Sequence, residues 1–97
     1  DKNKLKKLDV SKLSKLDSLC CNYNKIKSLN FNRNLGALYC KYNQLKYLDV
    51  SQCVYMEDLD CSHNKIRELE LGYSDLGQLD CSYNQLEELD TSGLEIL

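Results

Sequence analysis

Leu16 to Phe31 reads LDSLCCNYNKIKSLNF, and the same sixteen-residue pattern returns three times: LGALYCKYNQLKYLDV from Leu35, MEDLDCSHNKIRELEL from Met56 and LGQLDCSYNQLEELDT from Leu76. Block starts lie 19, 21 and 20 residues apart, with 18 more to Leu94. All of this variation falls in the connectors after Phe31, Val50, Leu71 and Thr91. Fixed blocks with variable connectors are what stacked coils produce, because the block must match its neighbour and the connector need not. The units are 16–34, 35–55, 56–75 and 76–93 within a single domain, 1–97. A partial unit at 3–15 carries Asn3, Leu5, Leu8 and Val10, and another opens at 94–97 with Leu94 and Leu97.

Inside a block, Leu19 and Cys21 alternate at strand period, so both point inward and Cys20 and Asn22 point out. The equivalent inward pairs are Leu38 and Cys40, Leu59 and Cys61, and Leu79 and Cys81. One such strand per turn builds a parallel concave sheet with a spacing of ~4.8 Å. Ile26, Leu29 and Phe31 close the coil from the other side, as do Leu45, Leu48 and Val50. About 20 residues per turn leave little room for a helix on the return path. The expected fold is a right-handed, mainly β solenoid with an extended or turn-like return path, including the alternation of Leu48, Asp49 and Val50.

Asn24, Asn43, Asn64 and Asn84 recur where the chain bends away from the strand. An amide donates and accepts at once, so a stack of them can satisfy backbone groups freed at the bend and bridge adjacent turns. They read as a structural ladder. Cys21, Cys40, Cys61 and Cys81 read as a second ladder of buried thiols in leucine-like positions. Four thiols in line span ~14 Å at strand spacing, whereas zinc needs its sulfurs ~2.3 Å from one centre. Metal and cofactor are therefore absent from the expectation. Side chains in a parallel stack point the same way, which disfavours disulfides between neighbours. Cys53, in a connector, reads as packing, and Cys20 as the outward, reactive thiol.

Charge is lopsided: residues 1–50 hold eleven Lys/Arg against four Asp, a balance of +7, and residues 51–97 hold two basic against eleven acidic residues, a balance of −9. This points to a polarised rod rather than a basic nucleic-acid platform, or, in the plainer reading, to solvated charge on the surface positions of successive repeats. No apolar run approaches the ~18 residues of a membrane span, so membrane insertion is not expected. Asn3 to Val10 supply a return path with no strand before it, and Leu94 and Leu97 open a strand with no return path. The expectation is that the natural chain continues past both ends. The isolated piece should then associate end to end through its open strand edges and opposite charges.

The pattern LxxLxCxxNxLxxLDV resembles the short bacterial class of leucine-rich repeat, the IRREKO type, and its cysteine column resembles that of the listerial internalins. The resemblance runs from Asn3 to Leu97. It implies a leucine-rich-repeat solenoid, a secreted or cell-surface bacterial setting and a recognition role. The partner is a property of surface residues that such a repeat does not specify.

The outward residues of the concave face are read as Ser18, Cys20 and Asn22, then Ala37, Tyr39 and Lys41, then Asp58, Asp60 and Ser62, then Gln78, Asp80 and Ser82. Tyr23, Tyr42, His63 and Tyr83 occupy one column just past the strand and form its rim. Tyrosine gives a large contact with a polar end at low entropic cost; stacking along the column is the structural alternative. Asp58, Asp60 and Asp80 lie close enough to suggest a glycosidase pair or a weak calcium site. An open ribbon with no Trp and no enclosing loop is a poor setting for catalysis, so the chain is not read as an enzyme. The reading is a non-catalytic module that binds a protein, or a glycan, through Tyr23, Tyr39, Tyr42, Asp58, Asp60, His63, Asp80 and Tyr83. The alternative is a structural spacer within a longer array, with no ligand of its own.

Overall fold

The computed structural model describes residues 4–72, 76–86 and 88–90. Asn3, Thr91 and the partial unit at 94–97 lie outside them. Among the described residues nine three-residue strands follow one another: β1 (Lys7–Asp9), β2 (Ser18–Cys20), β3 (Ser28–Asn30), β4 (Ala37–Tyr39), β5 (Tyr47–Asp49), β6 (Asp58–Asp60), β7 (Glu68–Glu70), β8 (Gln78–Asp80) and β9 (Glu88–Asp90). All pairings are parallel, and no helix occurs among the described residues. The molecule is a parallel β-solenoid.

One face is the continuous sheet β2-β4-β6-β8. Its register aligns Leu19, Leu38, Leu59 and Leu79 across four strands, so the inward leucines of successive blocks stack in one column. The return path, expected to be extended, also pairs into strands, as sheets β1-β3 and β5-β7-β9. In β5 and β7 the middle leucine faces inward and its neighbours face out, so that Leu48 and Leu69 are buried between exposed residues. Between the faces lies a core of Ile26, Leu35, Leu38, Leu45, Leu59, Ile66 and Leu76 with Cys40, Cys53 and Cys61.

The thiols behave as small apolar groups. Cys40 and Cys61 are wholly buried, and all six cysteines are reduced. Burial pushes Cys61 up to about 12 and Cys21 to about 11, and holds Cys40 well above the ordinary thiol value, because a thiolate in an apolar core forfeits its hydration. Neighbouring thiols add to the effect on Cys61 and Cys40.

Amide ladders join the turns along the bend. The Asn64 amide nitrogen donates to Cys40 O (3.0 Å) in the turn before and to Cys61 O (3.1 Å) in its own. Its oxygen accepts from Leu45 N (3.0 Å). Asn43 repeats this with Cys21 O, Cys40 O and Ile26 N, and Asn84 with Cys61 O, Cys81 O and Ile66 N. Asn24 donates to Cys21 O (3.0 Å), but its buried Oδ1 meets no donor among the described residues.

The second face is interrupted. β3 and β5 belong to consecutive turns yet do not pair, and no Cα of one lies within 8 Å of a Cα of the other. Where the first two turns meet, Lys25 N donates to Leu5 O (3.0 Å) and Lys27 N to Lys6 O (2.9 Å). Lys65 and Arg67 repeat these rungs onto Leu45 O and Lys46 O. Among the described residues, just ahead of β3 and β5 only the first rung is present, Gln44 N to Ile26 O (2.9 Å). The opposite sheet stays fully paired at the same level, since β2 and β4 keep their register. At this seam Phe31 stands where the other turns carry Val10, Val50 and Leu71, and the connector after Val50 is five residues long against three after Phe31, an inequality that the connector after Val10 shares at the paired β1–β3 level. The longer connector inserts Cys53, buried beside the seam. Extra volume at one corner holds the two turns apart there, while the ladder and opposite sheet hold them together elsewhere.

Candidate functional site

The column that begins one residue before each ladder asparagine has an uncommon backbone. Tyr23, Tyr42, His63 and Tyr83 have φ of 59°, 58°, 55° and 55°. The left-handed region costs an L residue on the order of 1–2 kcal/mol. Here it turns the chain sharply out of the strand and lets the next residue's amide reach back to the carbonyl three residues earlier. Three of these residues also donate their N–H to the following turn: Tyr23 to Lys41 O, Tyr42 to Ser62 O and His63 to Ser82 O, at 3.0, 3.1 and 3.0 Å.

Because every turn makes the same bend, the four rings are carried into register. Tyr23 and Tyr42 have centroids 4.8 Å apart, Tyr42 and His63 4.1 Å, and His63 and Tyr83 4.3 Å, with interplanar angles of 10°, 7° and 10°. This is a continuous aromatic stack along the edge of β2-β4-β6-β8. The Lys41 ammonium lies 5.6 Å from the Tyr23 centroid, within cation–π range. Stacking protects ring faces, yet Tyr42 is 42% and Tyr83 74% exposed. The tyrosines of the rail therefore remain accessible at the surface.

Beside the rail, the outward side chains of the sheet form a polar strip. Tyr39 lies opposite Asp60 and Ala37 opposite Asp58, and Asp60 lies opposite Asp80. The Tyr39 hydroxyl donates diagonally to Asp58 Oδ2 (3.1 Å), and that carboxylate raises the phenol's pKa by favouring its protonated form. Asp60 and Asp80 have local tasks. Asp60 Oδ1 accepts from Ser62 N (3.1 Å) and Ser62 Oγ (2.7 Å), and Asp80 Oδ1 accepts from Ser82 N (3.0 Å) and Ser82 Oγ (2.5 Å). The Ser82 hydroxyl and then its amide hold Asp80 below the usual carboxylate range. The same arrangement ends strands on the other face, at Asp9 with Ser11 and at Asp49 with Ser51. An Asp-x-Ser turn at a strand end is thus a recurring device of this fold.

The structure places all eight residues singled out above on one side: rail and strip lie together, with Tyr39 and Asp58 joined and Asp60 and Asp80 drawn into their turns. Among the described residues no three of His, Cys, Asp and Glu converge as a metal-holding group. Cys20 is exposed at the end of β2 and accepts from Asn22 Nδ2 (3.5 Å). At the β3–β5 seam the sequence assigned no part to Lys27, Arg33 and Lys46, and gave Phe31 only a place in the coil's closing face. Their signals were Phe31 in a column of smaller residues and the unequal connectors on either side of it.

No family model, curated protein or solved structure matches this chain.

Proposed function

We propose that the chain is a non-catalytic recognition module that engages a protein through the aromatic rail and the polar strip of β2-β4-β6-β8. The observation that carries this reading is the rail itself: four aligned rings, whose three tyrosines stay exposed, beside a strip bearing Tyr39 and Asp58. Such a surface offers rigid aromatic contact with polar tips at little conformational cost, which suits protein contacts and also glycan stacking. The resemblance to short bacterial leucine-rich repeats supports a secreted or cell-surface setting for that role.

One observation favours the alternative, a spacer in a longer array. Asp60 and Asp80 serve their own turns, as Asp9 and Asp49 do on the opposite face, so carboxylates on the strip need no ligand to account for them. A displayed peptide library selected against the immobilised protein separates the two. Binders from that selection should lose at least about tenfold in affinity for Tyr39→Ala and for Tyr83→Ser while retaining affinity for a substitution on the other face, Glu68→Gln. Binders indifferent to the first two variants, or no binders at all, would leave the spacer reading standing and remove this one.

A further inference from the structure

The interruption between β3 and β5 is a built cleft, and we propose that it takes up a single extended peptide segment bearing acidic side chains, inserted as a parallel strand that completes the second face. This surface is independent of the rail, which lies along the edge of the other sheet.

The cleft has a volume of about 600 Å³, and its walls and floor include Leu29, Phe31, Leu45, Leu48 and Cys53. Adjacent strands of a sheet lie ~4.8 Å apart, so a gap one strand wide separates its walls by ~9.6 Å. The separation here, beyond 8 Å between any two Cα atoms of β3 and β5, is too wide for direct pairing at ~4.8 Å and does not preclude one strand between. The walls carry the groups that such a strand needs. Val10 N donates to Asn30 O and Val50 N to Glu70 O, which puts Ser28 and Asn30 on the β1 side and Leu48 and Val50 on the β7 side. By strand alternation, Leu29 and Phe31 turn their backbone groups into the cleft from one wall, and Tyr47 and Asp49 from the other. Among the described residues no hydrogen bond crosses between them.

Both walls run in the same direction, so an inserted strand parallel to them keeps the register of the whole face. Its middle side chain meets the apolar floor, which calls for an apolar residue, and its flanking side chains point outward. Charge chooses those flanks: Lys27, Arg33 and Lys46 border the cleft against one carboxylate, Asp49, and Asp49 already accepts from Ser51 N (2.8 Å). The Tyr47 hydroxyl, on the cleft's border, donates to Glu70 Oε2 on β7 (2.9 Å) and to Asp49 Oδ2 (3.4 Å). The fold contains a demonstration of the pairing, since β9, with Leu89 between Glu88 and Asp90, joins β7 in parallel.

The test uses the full chain and a labelled synthetic peptide, QLEELDT, which copies residues 85–91. Fluorescence anisotropy should show saturable binding that weakens at least about tenfold in three cases: when the peptide's second leucine, the copy of Leu89, is replaced by proline, when its acids are replaced by lysines, and when the protein carries Arg33→Glu with Lys46→Glu. Hydrogen exchange read residue by residue should slow at the Leu29, Phe31 and Asp49 amides when peptide is added. No saturable binding, equal binding of the lysine peptide, or protection confined to the outer edges of β1, β2 or β8 would each overturn the proposal. The proline peptide and the exchange map keep the test decisive even if the double variant fails to fold.

Discussion

Replacing Asn64 by alanine removes four contacts to backbone, and the structure shows that they are not equal in consequence. Cys40 O keeps a second donor, Asn43, Cys61 O keeps Asn84, and Ser62 O keeps Tyr42 N. Leu45 N has the Asn64 oxygen as its acceptor (3.0 Å) and, with Leu45 buried, no water to replace it. An orphaned buried donor costs about 1–3 kcal/mol, and each weakened carbonyl adds roughly 0.5–1 kcal/mol. The expected loss for Asn64→Ala is therefore about 3 kcal/mol, a large share of the ~5–15 kcal/mol that holds a small domain. Asn24→Ala is the internal control. Asn24 Oδ1 accepts nothing among the described residues, and Cys21 O retains Asn43, so this change should cost no more than about 1 kcal/mol. Urea denaturation of the two variants measures the difference, and hydrogen exchange at the Leu45 amide, strongly accelerated only in Asn64→Ala, locates it. Equal losses for the two variants, or an unchanged Leu45 amide, would refute the bridging role of the ladder oxygens.

Other outcomes follow from the same geometry. Tyr42→Ala loses two ring contacts while keeping the left-handed backbone, so it should be less stable than Tyr42→Gly by about 1 kcal/mol; thermal unfolding of the pair checks the sign. A maleimide at pH 8 should modify Cys20 first and leave Cys21, Cys40, Cys61 and Cys81 until the chain opens, as read by peptide mass mapping; fast and equal labelling of all five would contradict the buried ladder. Cys61 is raised to about 12 from an ordinary 9.0, so the unfolded chain ionises first. Stability from this thiol is intact below pH 9 and lost as pH climbs toward 12, and Cys61→Val should flatten that alkaline loss in pH-dependent urea midpoints. Sedimentation at low salt should reveal end-to-end association that weakens as salt rises, since the halves carry +7 and −9; a clean monomer at high concentration would oppose it.

The sequence by itself determined the parallel coil. A sixteen-residue block with Leu19 and Cys21 at strand period and Asn24 at the bend admits one way to stack, because every inward group must meet its own counterpart in the next turn. Burial of Leu38, Cys40, Leu59 and Cys61 follows from that period alone. Three things depended on tertiary structure. The rings of Tyr23, Tyr42, His63 and Tyr83 shared a column in the sequence, but their contact distances required the left-handed bend that brings each ring over the next. Asp60 and Asp80 shared a column too, yet their hydrogen bonds to Ser62 and Ser82 required the turn that ends each strand. The cleft between β3 and β5 was decided by packing. Phe31 and the inserted Cys53 belong to different turns, and their combined volume acts only where those turns meet, a sum over neighbours that no single block of the sequence contains.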